Sequence, residues 1–228
     1  MKIRLYTLPN MITLLNLLSG CVAIVYMLIH KNLELGFALV CLAAVFDFCD
    51  GLVARATGSY SATGKELDSL ADVISFGVAP SAALFTLALQ SGVAENYALG
   101  MFVVAGFSAL RLAKFNVDES QKDTFVGLPT PAMAIFVLSG AYVISQHNII
   151  LPAYVLYVVA ALCCFLMVCD VEMFALKFSK YSFKGNELRY SFVILSALAV
   201  VLFGVAALPF IIAGYVLVSS LVWVMKKR

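Results

Sequence analysis

Apolar residues run along this chain in stretches of about twenty, parted by short polar breaks, and that pattern leaves few folds open. A helix needs about 20 consecutive, mostly apolar residues to cross roughly 30 Å of hydrocarbon. Eight such runs can be marked, at about 11–30, 34–56, 67–90, 96–116, 130–146, 150–169, 188–206 and 208–225. The last two form one apolar stretch, split here at Ala207-Leu208-Pro209 because a single helix of that length would overshoot the bilayer. With 63% hydrophobic and 12% charged residues and a mean hydropathy of +1.01, the composition is not that of a soluble domain. The expected architecture is an all-α integral membrane protein of about eight transmembrane helices, forming a single domain over residues 1–228.

Positive charge orients such a chain, since Lys and Arg near span ends stay cytoplasmic. In an eight-span arrangement one side holds fourteen of the fifteen basic residues and the other only Lys31. An extra or missing span would scramble that asymmetry, so both termini are expected in the cytoplasm. The net charge is only +2, which gives no reason to invoke nucleic acid. Two basic residues precede the first apolar run, but no small-residue cleavage site follows, so that span is expected to be retained.

Six cysteines lie in or at the ends of apolar runs without paired CxxC spacing, and are read as small buried hydrophobes. His30 and His147 stand alone at the side poor in positive charge, as interfacial polar residues. The polar stretches at about 57–66, 117–129 and 170–187 are loops too short for a soluble domain. "ATGSYSATGK" has the composition of a flexible turn. "CDVEMFALKFSKYSFKGNE" mixes aromatic and apolar residues with lysines, as suits an anionic headgroup layer. No internal repeat suggests a transporter built from related halves.

The segment Phe46 to Asp72, "FDFCDGLVARATGSYSATGKELDSLAD", breaks the apolar rule. Asp47, Asp50, Gly51 and Ala54 share about a third of a helix circumference at 100° per residue. Asp68 and Asp72, four apart at the start of the next span, also project together. The short turn between the spans brings both carboxylate pairs to one depth. Like charges so close repel by about 4 kcal/mol per pair at an effective dielectric near 20, and Arg55 alone cannot offset four anions. Hard divalent cations held through oxygen can, and two of them with bridging carboxylates match the count. Cations beside Arg55 and a Gly-rich turn suit an anionic substrate such as a diphosphate.

These residues read Asp47-x2-Asp50-Gly51-x2-Ala54-Arg55-x8-Gly64-x3-Asp68-x3-Asp72, a pattern that resembles, without departure, the signature of the CDP-alcohol phosphotransferase family. The resemblance implies a membrane enzyme that transfers a substituted phosphoryl group from a CDP-alcohol to a hydroxyl, releasing CMP. It implies Asp47, Asp50 and Asp68 as metal ligands, with Asp72 at the metal site as general base toward the acceptor. Gly51, Ala54, Arg55 and Gly64 would line the nucleotide and diphosphate pocket. Mg²⁺ or Mn²⁺, two ions in number, and a homodimer are further implications.

Three flanking segments are similar to the serine-specific branch of that family: "LPNMITLLNLLSG", "DSLADVISFGVAPS", and "RLAKFN" followed by "GLPTPA". With the signature, the resemblance runs from about residue 8 to about 136. It implies CDP-diacylglycerol as donor and L-serine as acceptor, at the cytoplasmic face of a cell's inner membrane. Asn10 and Thr13 lie at the depth of the quartet, where they either reach the nucleotide or merely start the helix. Arg111, Lys114 and Asn116 either snorkel to the interface or, as the resemblance favours, hold the phosphate or the serine carboxylate. The branch more often has Arg where Lys114 stands, and Lys lacks the bidentate fork. Gly127, Pro129 and Pro131 shape the entry to the fifth span, and Pro80 with Gly77 is expected to kink the third. The rival readings are the same chemistry on glycerol 3-phosphate or inositol, and an ion-coupled transporter. Against the transporter, the carboxylates gather at one surface instead of the midplane.

Overall fold

The computed structural model describes residues 5–118, 125–173 and 186–227. Among them the chain is helical almost throughout: α1 (Leu8–Leu28), α2 (Leu33–Thr57), α3 (Ala62–Gln90), α4 (Glu95–Val117), α5 (Thr130–Gln146), α6 (Ala153–Val168), α7 (Glu187–Phe203) and α8 (Ala207–Lys227). α1 to α4 are long and apolar enough to cross a membrane, as is the run from α7 into α8; α5 and α6 are shorter apolar helices. The one strand pairing among the described residues is a two-residue antiparallel clip, Phe125–Val126 (β1) against Glu172–Met173 (β2). The fold is thus that of an all-α, multi-pass membrane protein.

α3 is the central helix, its apolar window 72% buried against 22–28% for α1, α2 and α4. In a bilayer, helices associate by close packing of small residues, and α3 supplies them: Ala71, Ser75, Gly77, Ala79, Ala82 and Ala83 are all buried. A Cβ on Gly20 of α1 would stand 2.3 Å from Ser75 Oγ, and one on Gly77 would stand 2.7 Å from Ser108 Oγ of α4. These two glycines let α1 and α4 press against opposite sides of α3. Hydrogen bonds fasten the α1 contact, with Ser75 Oγ donating to Asn16 O at 3.0 Å and Thr86 Oγ1 lying 3.1 Å from Met27 O. Over Val73–Val78 the helix opens into π winding, and Ala79 N–H bonds Ile74 O, five residues back. This wide turn falls at the Gly77–Pro80 stretch, where the missing proline N–H already weakens the ordinary ladder.

Several boundaries differ from the sequence reading. α1 starts at Leu8 under a Thr7 cap, whose side chain accepts from Asn10 N–H, so neither Asn10 nor Thr13 is the cap. α3 starts at Ala62 under a Ser61 cap, and α2 ends on left-handed Gly58 (φ 62°). The expected loop at 57–66 is therefore only Gly58 to Ser61, because Ser and Gly serve here as caps. The final break is the short 3₁₀ turn Gly204–Ala206, opened by Gly204 (φ 58°), and α8 begins at Ala207 of the expected split, with Pro209 in its first turn, where proline is tolerated. Only Cys163 and Cys164 are buried; Cys21 and Cys41 are exposed and Cys49 and Cys169 half-buried, all as free thiols. A thiol on the outer face of an apolar bundle faces acyl chains, so burial in protein is not required of it. Of the headgroup-layer segment expected at 169–187, residues 174–185 lie outside the described residues.

Candidate active site

The site forms where the end of α2 meets the start of α3, closed on one side by α1. Gly58 turns the chain and Ser61 recaps it, with Ser61 Oγ accepting from Gly64 N–H at 2.9 Å. The reversal is tight enough to set the last turns of α2 against the first turns of α3. Carboxylate oxygens of Asp47, Asp50 and Asp68 all lie within 4.8 Å of one another.

The quartet divides into three and one. Asp72 lies outside the three-carboxylate group, in side-chain contact with Asp47. It is 8% exposed, and Asn16 Nδ2 donates to its Oδ1 at 3.2 Å. Asp50 is 6% exposed and accepts from Thr13 Oγ1 at 2.5 Å. Both donors come from α1, on which Asn10, Thr13 and Asn16 are all buried. A polar stripe on an otherwise apolar helix thus faces the acids. Two buried oxygens, Asp68 Oδ1 and Asn16 Oδ1, have no hydrogen-bond partner, a costly state unless something else satisfies them.

Three converging carboxylates with an orphaned buried oxygen fit a hard divalent cation, which takes oxygen ligands. The carboxylates are packed too closely to remain uncompensated, and no Lys or Arg is paired with Asp47, Asp50, Asp68 or Asp72 in the structure among the described residues. Arg55, expected between them, is exposed. It sits on the last turn of α2, its guanidinium about a van der Waals distance from where a Cβ on Gly51 would stand (3.6 Å).

A cavity of about 460 Å³ opens beside the carboxylates, and Asn10, Thr13, Asp50, Gly51, Ala54, Gly64 and Asp68 line it. These include every pocket residue picked out by the signature and α1 except Arg55. A side chain at Gly64 would intrude, since its Cβ would come within 3.1 Å of Asn10 Oδ1. Ser59, Tyr60, Ser61 and Lys65 complete the polar part of the wall.

Arg111, Lys114 and Asn116 of α4 are not among the residues that line this cavity. Arg111 is buried and donates from Nε to Leu128 O at 3.1 Å, with its guanidinium 5.8 Å from the Phe115 ring. Lys114 pairs with Asp170 at 2.9 Å, both side chains substantially exposed. Asn116 Nδ2 donates to Ser69 Oγ at 2.7 Å, so this residue does touch α3. The loop before α5 is held by main-chain bonds to the end of α6 and the residues after it, Leu128 N–H to Leu166 O and Gly127 N–H to Val171 O. Gly127 has φ 74°, and a Cβ there would meet Met167 O at 2.6 Å.

Sequence reasoning missed Asn16, Ser69, Ser75 and Lys65. For Asn16 a signal was present, since Asn10, Thr13 and Asn16 recur every three residues in an apolar run and so share one helix face.

Comparison with known proteins bears on this arrangement. The CDP-alcohol phosphatidyltransferase family profile matches residues 6–169, from the start of α1 through the end of α6. The chain is 37% identical over 140 residues to the CDP-diacylglycerol–serine O-phosphatidyltransferase of Bacillus subtilis, covering 59% of this chain and 76% of that protein. It is 38% identical over 146 residues to the enzyme of the same name from Methanocaldococcus jannaschii, covering 64% and 66%. It is 35% identical over 157 residues to the archaetidylserine synthase of Methanothermobacter thermautotrophicus, covering 68% and 66%. With the profile spanning well over half its length and the acidic signature gathered around one cavity, the chain belongs to the CDP-alcohol phosphatidyltransferase family.

Proposed function

We propose that this protein transfers a phosphatidyl group from CDP-diacylglycerol to the hydroxyl of L-serine, giving phosphatidylserine and CMP. The observation that carries the reading is the convergence of Asp47, Asp50 and Asp68 within 4.8 Å of one another, with Asp50 and Asp68 on the wall of a cavity. The acceptor is taken from relatives named for serine transfer. Asp47, Asp50 and Asp68, with Asp72 at the edge, would hold divalent ions, Mg²⁺ or Mn²⁺ and two in number, and such ions would supply positive charge against the diphosphate and the leaving CMP.

The chain's own residues do the rest. Asn10, Thr13, Gly51, Ala54 and Gly64 shape the nucleotide and diphosphate pocket, with Arg55 at its outer edge. Thr13 fixes the Asp50 carboxylate, and Asn16 fixes that of Asp72. Asp72 stands beside the cluster as general base and takes the proton of the attacking hydroxyl at a carboxylate oxygen. Holding donor and acceptor in line accounts for much of the remaining acceleration. Arg111, Lys114 and Asn116 belong to the acceptor side of the site.

The whole chain acts as one domain, with eight helices crossing the inner membrane and both termini and the active site facing the cytoplasm. The fourteen-to-one placement of basic residues supports that orientation, and α5 and α6, though short, can span with local thinning of the bilayer. Lipid tails then stay in hydrocarbon while CMP and serine exchange with water. The working unit is a homodimer, as the family resemblance implies.

The test is CMP release by purified protein from CDP-diacylglycerol with serine, glycerol 3-phosphate or inositol, each with and without chelator. Serine-dependent, chelator-sensitive release is expected. CMP release with another acceptor and none with serine would overturn the assignment of the acceptor, and metal-dependent ion flux through proteoliposomes without CMP would overturn the enzyme.

A further inference from the structure

Among the residues lining the cavity the charged ones are Asp50, Asp68 and Lys65. A diphosphate entering this space meets carboxylates, and among the described residues Lys65 is the single cation in the lining. Other basic groups nearby are committed or displaced. Arg55 is off the lining, its guanidinium at the rim beside Gly51, Arg111 is buried against Leu128 O, and Lys114 is neutralised by Asp170. The Lys65 ammonium instead donates to a neutral acceptor, Asn116 O, at 2.8 Å.

That acceptor lies in the last turn of α4, where main-chain carbonyls lack a partner within the helix. Asn116 is also fastened to α3 through its side chain, by the bond to Ser69 Oγ. The carbonyl is therefore held where it can park the ammonium at the cavity rim without cancelling its charge. Exchanging it for a phosphate oxygen gives up a neutral hydrogen bond and gains a charge-assisted one. The flexible stem and three rotatable donors of lysine suit such an exchange.

Height along α3 indicates which anion is met. At about 1.5 Å per residue, Lys65 lies about 4.5 Å along the axis from Asp68 but about 10.5 Å from Asp72. It stands near the level of the carboxylate cluster, and remote from the place where a hydroxyl would lose its proton. We propose that Lys65 is a binding residue for the diphosphate of the nucleotide-linked lipid, exchanging the Asn116 carbonyl for a phosphate oxygen when that lipid enters. This rests on the reading of the cavity as the seat of a CDP-linked substrate.

The experiment measures equilibrium binding of CDP to purified protein with Mg²⁺ present, for wild type, Lys65→Met, Lys65→Gln and Lys65→Arg, alongside KM for CDP-diacylglycerol and for serine. The neutral variants should bind CDP about tenfold or more weakly, the loss expected for one charge-assisted bond. Lys65→Arg should stay within about threefold of wild type. KM for the lipid should rise in parallel while KM for serine holds. Thermal unfolding identifies any variant that is misfolded, and the two neutral variants back each other. Unchanged CDP affinity in a folded neutral variant would overturn the proposal, as would equal loss in Lys65→Arg or a rise confined to KM for serine. CDP binding needs no acceptor, so a wild-type protein that binds CDP but releases no CMP with serine would count against the acceptor assignment and not against Lys65.

Discussion

Asn16 and Asp72 meet at 3.2 Å across the interface of α1 and α3, both almost wholly withdrawn from solvent. An amide of this kind fixes the direction in which a carboxylate points, and the same residue's main-chain oxygen accepts from Ser75. One position on α1 therefore aligns two turns of α3.

Replacing Asn16 by Leu should lower kcat by roughly 10- to 100-fold, the range for a hydrogen bond to a charged group worth about 1.5–3 kcal/mol. KM for CDP-diacylglycerol should change little, because Asn16 does not line the cavity. Steady-state kinetics separate the two; a raised lipid KM with unaltered kcat would contradict the positioning role.

Asp72→Asn keeps the shape of the side chain and its contact with α1 but cannot accept a proton. Turnover should be abolished while CDP-lipid binding largely survives. Binding measured by retention of labelled lipid, beside a CMP-release assay, decides the matter, and undiminished activity would remove Asp72 as the base.

Asp68→Asn removes one charge from the group of three and should weaken divalent-ion binding by at least tenfold, since carboxylate charge sets the affinity of such sites. Titration of Mn²⁺ into the purified protein, followed by paramagnetic resonance, reads this without turnover. Affinity equal to that of wild type would place the ion elsewhere.

Gly77→Ala should destabilise the fold by about 1–3 kcal/mol, the usual cost of overpacking, because the new methyl would lie 2.7 Å from Ser108 Oγ. Ser108→Gly in the same chain should recover much of the loss. Gly106→Ala, with nothing within 4 Å of the added carbon, should be close to neutral. Thermal unfolding in detergent compares the three.

The apolar runs made the helices legible, because no polar segment is long enough to fold apart from them, and the acidic signature marked the α2–α3 corner before any geometry was known. The boundaries were harder. Ser61 and Gly58 look like loop residues in sequence yet act as caps, and only the backbone distinguishes the two uses. The anchoring of Asp72 by Asn16 was not legible, since the partner arrives from another helix. The placement of Arg55 outside the cluster was hidden for a similar reason. Charge balance suggested a partner for the acids, whereas the guanidinium lies beside Gly51 with no ion pair to them among the described residues. Arg111 shows the same limit, as its carbonyl partner Leu128 lies across a loop whose path the apolar pattern does not encode.

The π winding at Val73–Val78 also bears on how this helix could change over generations. A wide turn of this kind holds one more residue than ordinary winding, so the halves on either side keep their angular phase despite the surplus. Loss of a single codon within those six would let the ladder close up with the acidic half still facing α2. The same loss elsewhere in α3 would swing one half about 100° against the other and turn Asp68 and Asp72 away from the acids of α2.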